Sequence, residues 1–368
     1  PARCALAQIC ATMERYTRVK VIGKGAFGAA ILVHARGDRR SQYVIKHVDV
    51  TRLDAKQRDE AKKEIKLLAS FKHPNIVRYR DSFVEAGALH IVMDYAEGGD
   101  LHRLLKEQGS RLLAEETVLD YFVQLCLAMK HVHDRKVLHR DIKSQNVFLT
   151  QNRRVVKLGD FGIARVLNST AELARTACGT PYYMSPEICD NKPYNDRSDV
   201  WSMGCLLYEM ASLRCPFDAR DMRGLVIKIL RGAYPPLPKA FSPGLGQLVG
   251  RCLHRQPSQR PSVNELLALP VVRGRIDRFL SDAQRHTEFA HTMIHRNPAH
   301  NKQHAAFKDG GGGGGGGDAA APAAAPAAAA PPLKERYAAQ QRAAAEAEAA
   351  RRAERAAAAR QLDADRER

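Results

Sequence analysis

The stretch "HRDIKSQN", His139–Asn146, places a histidine, an arginine, an aspartate, a lysine and an asparagine within eight residues. It follows "KHVHDRKVL", which has the pattern of a helix end, and alone it is typical of an ordinary surface loop. A later tight turn, "LGDFG", places Asp160 directly after the strand-like run "VVKL". Asn146 and Asp160 offer oxygen donors that suit Mg²⁺, which typically takes one or two carboxylates plus substrate phosphates. Asp141 is then free to orient a hydroxyl group and accept its proton.

Upstream, a glycine-rich stretch, "IGKGAFGAAILV", places Gly23, Gly25 and Gly28 between two strand-like runs. Glycine lets a backbone approach phosphate oxygens and direct its amide hydrogens at them. The spacing alone is weak, because dinucleotide-binding folds share it, but those folds need a helix directly after the glycines. Here a strand follows, and the next notable charge is Lys46 in "YVIK". This order favours a nucleotide phosphate site with Lys46 as its cation.

Lys46 needs a carboxylate to fix its position, and the helical stretch "KKEIKLL" offers Glu64. Glu60 is a rival one turn earlier, since both can lie on the same helix face. Periodicity alone favours a solvated charged helix for both residues.

The hydrophobic pattern divides the chain into a strand-rich part and a helical part. Strand-like alternation marks "YTRVKVIG", "AAILVHAR" and "YVIKHVDV", and two further strand-like runs, "IVRYRDSFV" and "LHIVMDYA", follow the helical stretch "LDAKQRDEAKKEIKLLASF". From Asp100 onward helical patterns dominate, as in "SDVWSMGCLLYEMASL". The sequence therefore predicts a small strand-rich lobe and a larger helical lobe, with a hinge near residues 94–99.

The amino-acid composition argues against several classes of protein. The eight cysteines are scattered without a C-x-x-C pair, which disfavours a zinc ribbon or a disulfide framework. No stretch approaches the roughly 18 apolar residues of a membrane span. The formal net charge of +18 favours acidic partners in general. Specific nucleic-acid binding is not expected, because the basic segment 273–308 lacks interleaved aromatic residues apart from three phenylalanines.

Both ends differ in composition from the centre. Residues 1–15 are interpreted as an N-terminal extension, and residues 275–308 as a basic, His-rich tether. Within it, His291 and His295 have the i, i+4 spacing of a metal pair, although solvated side chains are the favoured interpretation. Residues 309–332, rich in Gly, Ala and Pro, are predicted to be a flexible linker, and the Ala/Glu/Arg-rich residues 333–368 a helical tail.

Taken together, these motifs resemble the eukaryotic protein kinase family across residues 16–274. The matching elements are the three glycines, Lys46, "HRDIKSQN", "DFG", "SPE" at 185–187, "SDVWSMG" at 198–204 and Arg260 in "QRPS". The resemblance implies an α+β fold of two lobes: a β-rich N-lobe with one main helix, at about 16–95, and a larger, mostly helical C-lobe, at about 100–274. It also implies that Glu187 and Arg260 form a buried ion pair that braces the helical lobe.

The resemblance also assigns the site. It implies a catalytic set in which Asp141 is the base, Lys46 holds the α- and β-phosphates, and Asn146 and Asp160 bind two Mg²⁺ ions. Glu64 resembles the partner of Lys46, because it stands ten residues before the Pro of "KHP". The remaining members of the catalytic and ATP-binding sets are Lys143, Ile22, Gly23, Lys24, Gly25, Ala26, Phe27, Gly28, Ala29, Ala30, Met93 as gatekeeper, Asp94, Tyr95 and Ala96 as hinge, and Asp100 at the ribose.

Two features narrow the family. Lys143, two residues after Asp141, and "GTPYYMSPE" are typical of serine/threonine kinases. "YVIK", "MDYAEGGDL", "HRDIKSQNVFLT" and "LGDFGIARVL" are similar to the NIMA-related kinases, the Nek group, which also tends to carry alanine at Ala30. In the loop between "DFG" and "SPE", Thr176 is the expected phosphorylation site, with an unmodified threonine as the alternative, and Thr180 resembles the threonine of the substrate platform.

The resemblance implies a non-specific serine/threonine protein kinase that uses ATP and Mg²⁺ to phosphorylate protein substrates. The alternative is a pseudokinase scaffold, which the presence of Lys46, Asp141 and Asp160 opposes. The Nek group is associated with cilia, basal bodies, centrosomes and mitotic entry. We therefore expect a cytoplasmic protein, with the centrosome, basal body, cilium and nucleus as further candidate locations, and with microtubule- or centrosome-associated partners of the tail.

Overall fold

The computed structural model describes residues 12–25, 28–51, 55–160 and 181–281. The chain divides into two compact units, residues 1–303 and 304–368, and all described residues lie in the first. The predictions for the linker, the helical tail, the tether beyond residue 281 and the extension before residue 12 fall outside the described residues. None of the described helices is long and apolar enough to cross a membrane.

The N-lobe contains a five-stranded antiparallel sheet with the strand order β1-β2-β3-β5-β4. Its strands are β1 (Tyr16–Gly25), β2 (Gly28–Ala35), β3 (Asp38–Asp49), β4 (Tyr79–Glu85) and β5 (Ala88–Asp94). One helix, α1 (Ala55–Ser70), lies between β3 and β4 in the chain. The sheet and its single helix confirm the predicted N-lobe.

Side chains alternate between the two faces of this sheet, as the period of two in a strand requires. One face carries a small apolar cluster made of Ile31, Val33, Ile45, Phe83 and Val92. Lys46, next to Ile45, therefore points to the opposite face, where it pairs in register with Ala30 on β2 and Ile91 on β5. This alternation directs the Lys46 ammonium towards the cleft.

The C-lobe is mostly helical. Its helices are α2 (Leu101–Glu107), α3 (Glu115–Asp134), α4 (Pro186–Cys189), α5 (Asp196–Ser212), α6 (Met222–Arg231), α7 (Pro243–Cys252), α8 (Val263–Ala268) and α9 (Pro270–Arg273). Both α3 and α5 are buried over most of their length. A capping box between Asn195 and Ser198 starts α5 by satisfying amide groups that the first turn leaves without partners. The predicted two-lobed α+β fold is confirmed.

The predicted brace of the helical lobe is present. Arg260 donates two hydrogen bonds to Glu187, from Nη1 to Oε1 at 2.8 Å and from Nη2 to Oε2 at 2.7 Å. Its guanidinium also donates to the backbone carbonyls of His254, Arg197 and Arg255. Because this buried guanidinium has a partner for each of its nitrogens, the pair avoids the large cost of an unpaired buried charge.

The folded lobe continues past residue 274, where the sequence placed its boundary. A 3-10 turn at Ile276–Arg278 follows α9, and the side chains of Ile276 and Leu280 are buried. Arg275 donates to Glu116 at 2.6 Å and to Asp120 at 2.8 Å, both on α3. The first residues of the predicted tether therefore belong to the C-lobe, which their basic composition concealed.

Candidate active site

The catalytic loop lies between α3 and a two-stranded ribbon, β6 (Val147–Leu149) and β7 (Val156–Leu158). Within it, Asp141 Oδ2 accepts a hydrogen bond from Lys143 Nζ at 2.8 Å and another from Asn146 Nδ2 at 2.8 Å. The Asn146 amide nitrogen also donates to the Asp141 backbone carbonyl at 2.7 Å. Three side chains that the sequence assigned to the catalytic set thus form one hydrogen-bonded group.

Asp160 is brought to this group by the turn after β7. Its backbone adopts a left-handed conformation, with φ of 58°. Its neighbour Gly159 donates from N to the Asn146 carbonyl at 3.0 Å. A Cβ at Gly159 would lie 2.9 Å from side-chain atoms of Phe148 and Val77, so a larger residue would force the turn away from the loop.

Lys46 reaches the same place from the N-lobe sheet. Its Nζ lies 2.6 Å from Asp160 Oδ1, which joins two residues 114 positions apart in the chain. Lys46 and Asp160 form one pair, and the hydrogen bond from Gly159 N to the Asn146 carbonyl links this pair to the group of Asp141 and Asn146; the sequence grouped the same four residues.

A buried histidine ties the loop to this turn. His139 Nε2 lies 3.1 Å from the Gly159 carbonyl, and the Asp141 amide points at His139 Nδ1 at 3.4 Å. Burial lowers the pKa of His139, so the ring is neutral at pH 7. A neutral ring with its proton on Nε2 donates to the carbonyl and accepts the amide. His139 thus fixes the spacing between Asp141 and Asp160.

The predicted ion pair between Lys46 and Glu64 is absent among the described contacts. Lys46 pairs with Asp160 instead, because the left-handed turn aims that carboxylate at the lysine. Glu64 Oε2 is buried without a hydrogen-bond partner, and burial raises the pKa of Glu64 to about 7 against the opposing charges of Lys46 and Arg140. Glu64 lies on helix α1, as predicted, but among the described contacts its carboxylate forms no ion pair with Lys46.

The glycine-rich loop joins β1 and β2. At Gly28 the backbone has φ of 150°, and a Cβ there would lie 1.7 Å from the His47 carbonyl oxygen. Only glycine fits this close approach of β2 to β3. Ile22 is exposed at the end of β1, and Ala29 and Ala30 follow Gly28 on β2. The Lys24 side chain, Ala26 and Phe27 lie outside the described residues.

The predicted hinge follows the end of β5. Met93 lines a small cavity behind the cleft, together with Lys46, Leu68, Phe71, Val77, Tyr79, Gly159 and Asp160. Asp94 is held at the outer side by Arg80, whose Nε lies 2.5 Å from Asp94 Oδ1, and Ala96 is buried after Tyr95. Asp100 accepts a hydrogen bond from the Arg103 amide at 2.8 Å, so one of its oxygens caps α2. The other oxygen remains open for the predicted ribose contact.

One positioning residue was missed by the sequence reasoning. Asp199, on α5, accepts hydrogen bonds from the backbone amides of His139 at 3.0 Å and Arg140 at 2.9 Å. Its carboxylate also contacts His133 at 2.8 Å and Tyr194 at 2.5 Å. Asp199 lies in the matched stretch "SDVWSMG", but its catalytic-loop partners His139 and Arg140 lie about 60 residues earlier, so the local pattern gave no sign of this role.

The donor atoms suit a hard divalent cation. Asn146 donates from its side-chain nitrogen to Asp141, and among the described residues Asp160 Oδ1 accepts from Lys46 while no hydrogen bond to Asp160 Oδ2 is seen. Oxygen ligands of this number and type match Mg²⁺, which binds through one or two carboxylates together with phosphates. The residues present therefore fit the metal that the motif predicts. Thr176 and Thr180 lie outside the described residues.

Known proteins share this arrangement in sequence. The protein kinase domain model matches residues 16–272. The chain is 54% identical over 269 residues to the mouse serine/threonine-protein kinase Nek1, a match that covers 73% of this chain and 22% of that protein. It is 46% identical over 293 residues to human serine/threonine-protein kinase Nek5, which covers 80% of this chain and 41% of that protein.

A third relative is covered more completely. The chain is 40% identical over 268 residues to the Caenorhabditis elegans serine/threonine-protein kinase nekl-2, a match that covers 71% of this chain and 75% of that protein. The chain spans less than half the length of the two larger relatives, Nek1 and Nek5. Fold, site and similarity together show that the chain belongs to the protein kinase family, within its NIMA-related (Nek) group.

Proposed function

We propose that this protein is an ATP-dependent, non-specific serine/threonine protein kinase that transfers the γ-phosphoryl group of MgATP to protein substrates. The observation that carries the proposal is the contact between Lys46 and Asp160, joined through the backbone of Gly159 and Asn146 to the hydrogen-bonded group of Asp141 and Asn146. Phosphoryl transfer depends mainly on positioning and charge neutralisation, and these residues supply both.

Each side chain has a distinct part in the reaction. The Asp141 carboxylate accepts a hydrogen bond from the substrate hydroxyl and takes its proton as the oxygen attacks the γ-phosphorus and the bond to ADP breaks. Lys143, 2.8 Å from Asp141, neutralises charge on the transferred phosphoryl group. Lys46, whose Nζ lies 2.6 Å from Asp160 Oδ1, would hold the α- and β-phosphates of bound ATP. Bound Mg²⁺ would neutralise the phosphate oxygens between Asn146 and Asp160.

The preference for serine and threonine is supported by two features. Lys143 stands two residues after the proposed base, and "GTPYYMSPE" begins the segment that leads into α4. Both are typical of serine/threonine kinases, and the similar proteins Nek1 and Nek5 are named serine/threonine-protein kinases.

Replacing Asp141 tests the proposal. Asp141→Asn keeps the shape of the side chain but removes the base, so transfer from radiolabelled ATP to a basic protein substrate should fall about 100-fold or more. Nucleotide binding, measured by calorimetry, should persist. A variant that turns over near the wild-type rate would contradict the role of Asp141. A wild-type protein that binds nucleotide without transfer would instead support the pseudokinase alternative, which no observation now favours.

For activation, we propose phosphorylation of Thr176. Support comes from Arg140, which is exposed next to the catalytic aspartate and whose guanidinium has no ion pair among the described residues. A phosphate on the following loop would neutralise this charge and order the loop. Thr176→Ala and phosphatase treatment should each lower the transfer rate. If treatment removes phosphate from Thr176 and the rate is unchanged, the proposal fails.

For location, we propose the cytoplasm, with the centrosome, basal body, cilium or nucleus as sites of action. The similarity to the Nek group supports this, and the net charge of +18 suits acidic partners such as microtubule surfaces. We propose that residues 333–368, the predicted helical tail, make these contacts, since they belong to the unit 304–368, which contains none of the residues of the proposed reaction. Deleting them should leave transfer intact and abolish sedimentation with microtubules. Full sedimentation after deletion would exclude the tail as the contact.

A further inference from the structure

A buried polar cluster lies directly under the catalytic loop. Its members are Ser144 on the loop, Tyr183 on the segment before α4, Glu209 on α5 and His102 on α2. Ser144 is fully buried and Glu209 is 7% exposed. Burying a carboxylate this deeply costs folding free energy unless hydrogen bonds satisfy both of its oxygens.

Both oxygens of Glu209 are satisfied by hydroxyl groups. Ser144 Oγ donates to Glu209 Oε1 at 3.1 Å, and the Tyr183 hydroxyl donates to Glu209 Oε2. Ser144 N then donates to the Tyr183 hydroxyl oxygen at 3.2 Å, while Ser144 Oγ lies 3.4 Å from His102 Nδ1. Each hydroxyl has one hydrogen, so when both donate to Glu209 the 3.0 Å contact between Ser144 Oγ and the Tyr183 hydroxyl oxygen holds no hydrogen of its own.

Burial and hydrogen bonding act in opposite directions on the pKa of Glu209. Burial raises the pKa of Tyr183 far above its usual value, so its hydroxyl stays a donor. Burial also raises the pKa of Glu209, while the hydrogen bonds from Tyr183 and Ser144 oppose that rise. The two hydroxyls thus favour the ionised form of Glu209 against the effect of burial.

The cluster joins two segments that must act on the same substrate. Ser144 directly follows Lys143 and is two residues before Asn146, so its position sets theirs. Tyr183 lies three residues after Thr180, and its carbonyl is fixed to α5 by Ser202 Oγ at 3.0 Å. The catalytic loop and the segment before α4 are therefore both hydrogen-bonded to α5 through the carboxylate of Glu209.

We propose that Ser144 is a positioning residue for phosphoryl transfer, whose hydroxyl fixes the catalytic loop against the substrate-side segment through Glu209 and Tyr183. The inference rests on the proposed kinase function and adds a residue that contacts neither ATP nor substrate. Small errors in the placement of Lys143 and Asp141 relative to the bound hydroxyl are costly, because transfer needs near-attack geometry.

The first test is Ser144→Ala in the full chain. Steady-state kinetics with a peptide substrate should show kcat/KM for the peptide reduced about tenfold, with KM for ATP unchanged. Ser212→Ala is the matched control, since the described hydrogen bonds of its hydroxyl involve backbone groups alone: the Tyr208 and Arg214 carbonyls and the Arg214 amide. Ser212→Ala should leave both parameters unchanged. Equal kinetics in Ser144→Ala and the control would overturn the proposal.

The second test is a double-mutant cycle with Tyr183→Phe. Since both hydroxyls act through Glu209, the double variant should lose less activity than the product of the two single losses. Independent, multiplicative losses would contradict a shared network. If Ser144→Ala does not fold, full activity in Tyr183→Phe would by itself overturn the proposal. Ser144→Thr, which keeps the hydroxyl, should recover most of the activity lost in Ser144→Ala.

The outcomes separate this inference from the function on which it rests. No transfer by the wild-type chain would refute the proposed kinase activity. An active wild type with an equally active Ser144→Ala would refute only the positioning role.

Discussion

At the scale of single residues, Glu64 gives the protein a specific pH dependence. Burial raises its pKa to about 7, whereas an unfolded glutamate titrates near 4.3. Between these values the folded state holds a proton that the unfolded state has lost, so the contribution of Glu64 to stability falls as pH rises. Glu64→Gln should therefore flatten the decline of the unfolding midpoint between about pH 4.5 and pH 7.

Glu60→Gln is the matched control for this prediction, because it removes a carboxylate one turn earlier on the same helix. Unfolding followed by circular dichroism across this pH range measures both variants. A pH profile of Glu64→Gln that matches wild type would show that Glu64 does not titrate in this range.

The Glu187–Arg260 pair predicts a large loss of stability from one small change. Glu187→Gln removes the negative charge and leaves the buried guanidinium of Arg260 without a counter-ion, at a cost of about 3–5 kcal/mol. Asp190→Asn, which breaks an exposed pair with Lys192, should cost only about 0–1 kcal/mol. Urea unfolding measures both, and similar small losses would contradict the buried-charge argument.

At the scale of elements, the stretch after α9 is part of the folded lobe. Ile276 is buried beyond the predicted boundary, so Ile276→Ala in the full chain should destabilise it by about 2–5 kcal/mol. Ile227→Ala, at an exposed position on α6, should have an effect within about 0.5 kcal/mol. Thermal unfolding compares the two. A stable Ile276→Ala variant would mean that the lobe ends near residue 274, as the sequence suggested.

The sequence patterns predicted most of the strands and helices, but they misplaced the first residues of β3 and β4, and the structure shows why. β3 begins at Asp38, earlier than the apolar alternation indicates, because the polar residues there pair with β2 in a hairpin that is largely exposed. β4 begins at Tyr79 rather than Ile76, because Ile76 forms an isolated bridge with Leu158, the last residue of β7. Apolar alternation shows which side chains are buried, whereas the starts of β3 and β4 are set by which residues pair through their backbones with a neighbouring strand.

The residues of the site also divide into those that a local motif reveals and those that only contacts across the fold reveal. Lys46, Asp141, Asn146 and Asp160 were found because each belongs to a local motif with its own spacing. Contacts made across the fold leave no local sign, which is why the roles of Asp199, Ser144 and Glu209 emerged only from the structure. The expected pairing of Lys46 with Glu64 was absent for a related reason: motif order cannot tell which of two carboxylates lies nearer the lysine.

At the scale of the whole molecule, the kinase lobes carry every residue of the proposed reaction. Lys46 comes from the N-lobe sheet, whereas Asp141 and Asp160 come from loops of the C-lobe. The second unit, residues 304–368, contains none of these residues. The central claim is thus that residues from both lobes form one phosphoryl-transfer site.

The most direct test is mass spectrometry of a protein substrate after incubation with the full chain, ATP and Mg²⁺. Wild type should produce phosphoserine and phosphothreonine, and Lys46→Met and Asp160→Asn should each produce almost none while remaining folded by circular dichroism. Phosphorylation by either variant at the wild-type level would contradict the account, because the site could then function without a residue that it requires.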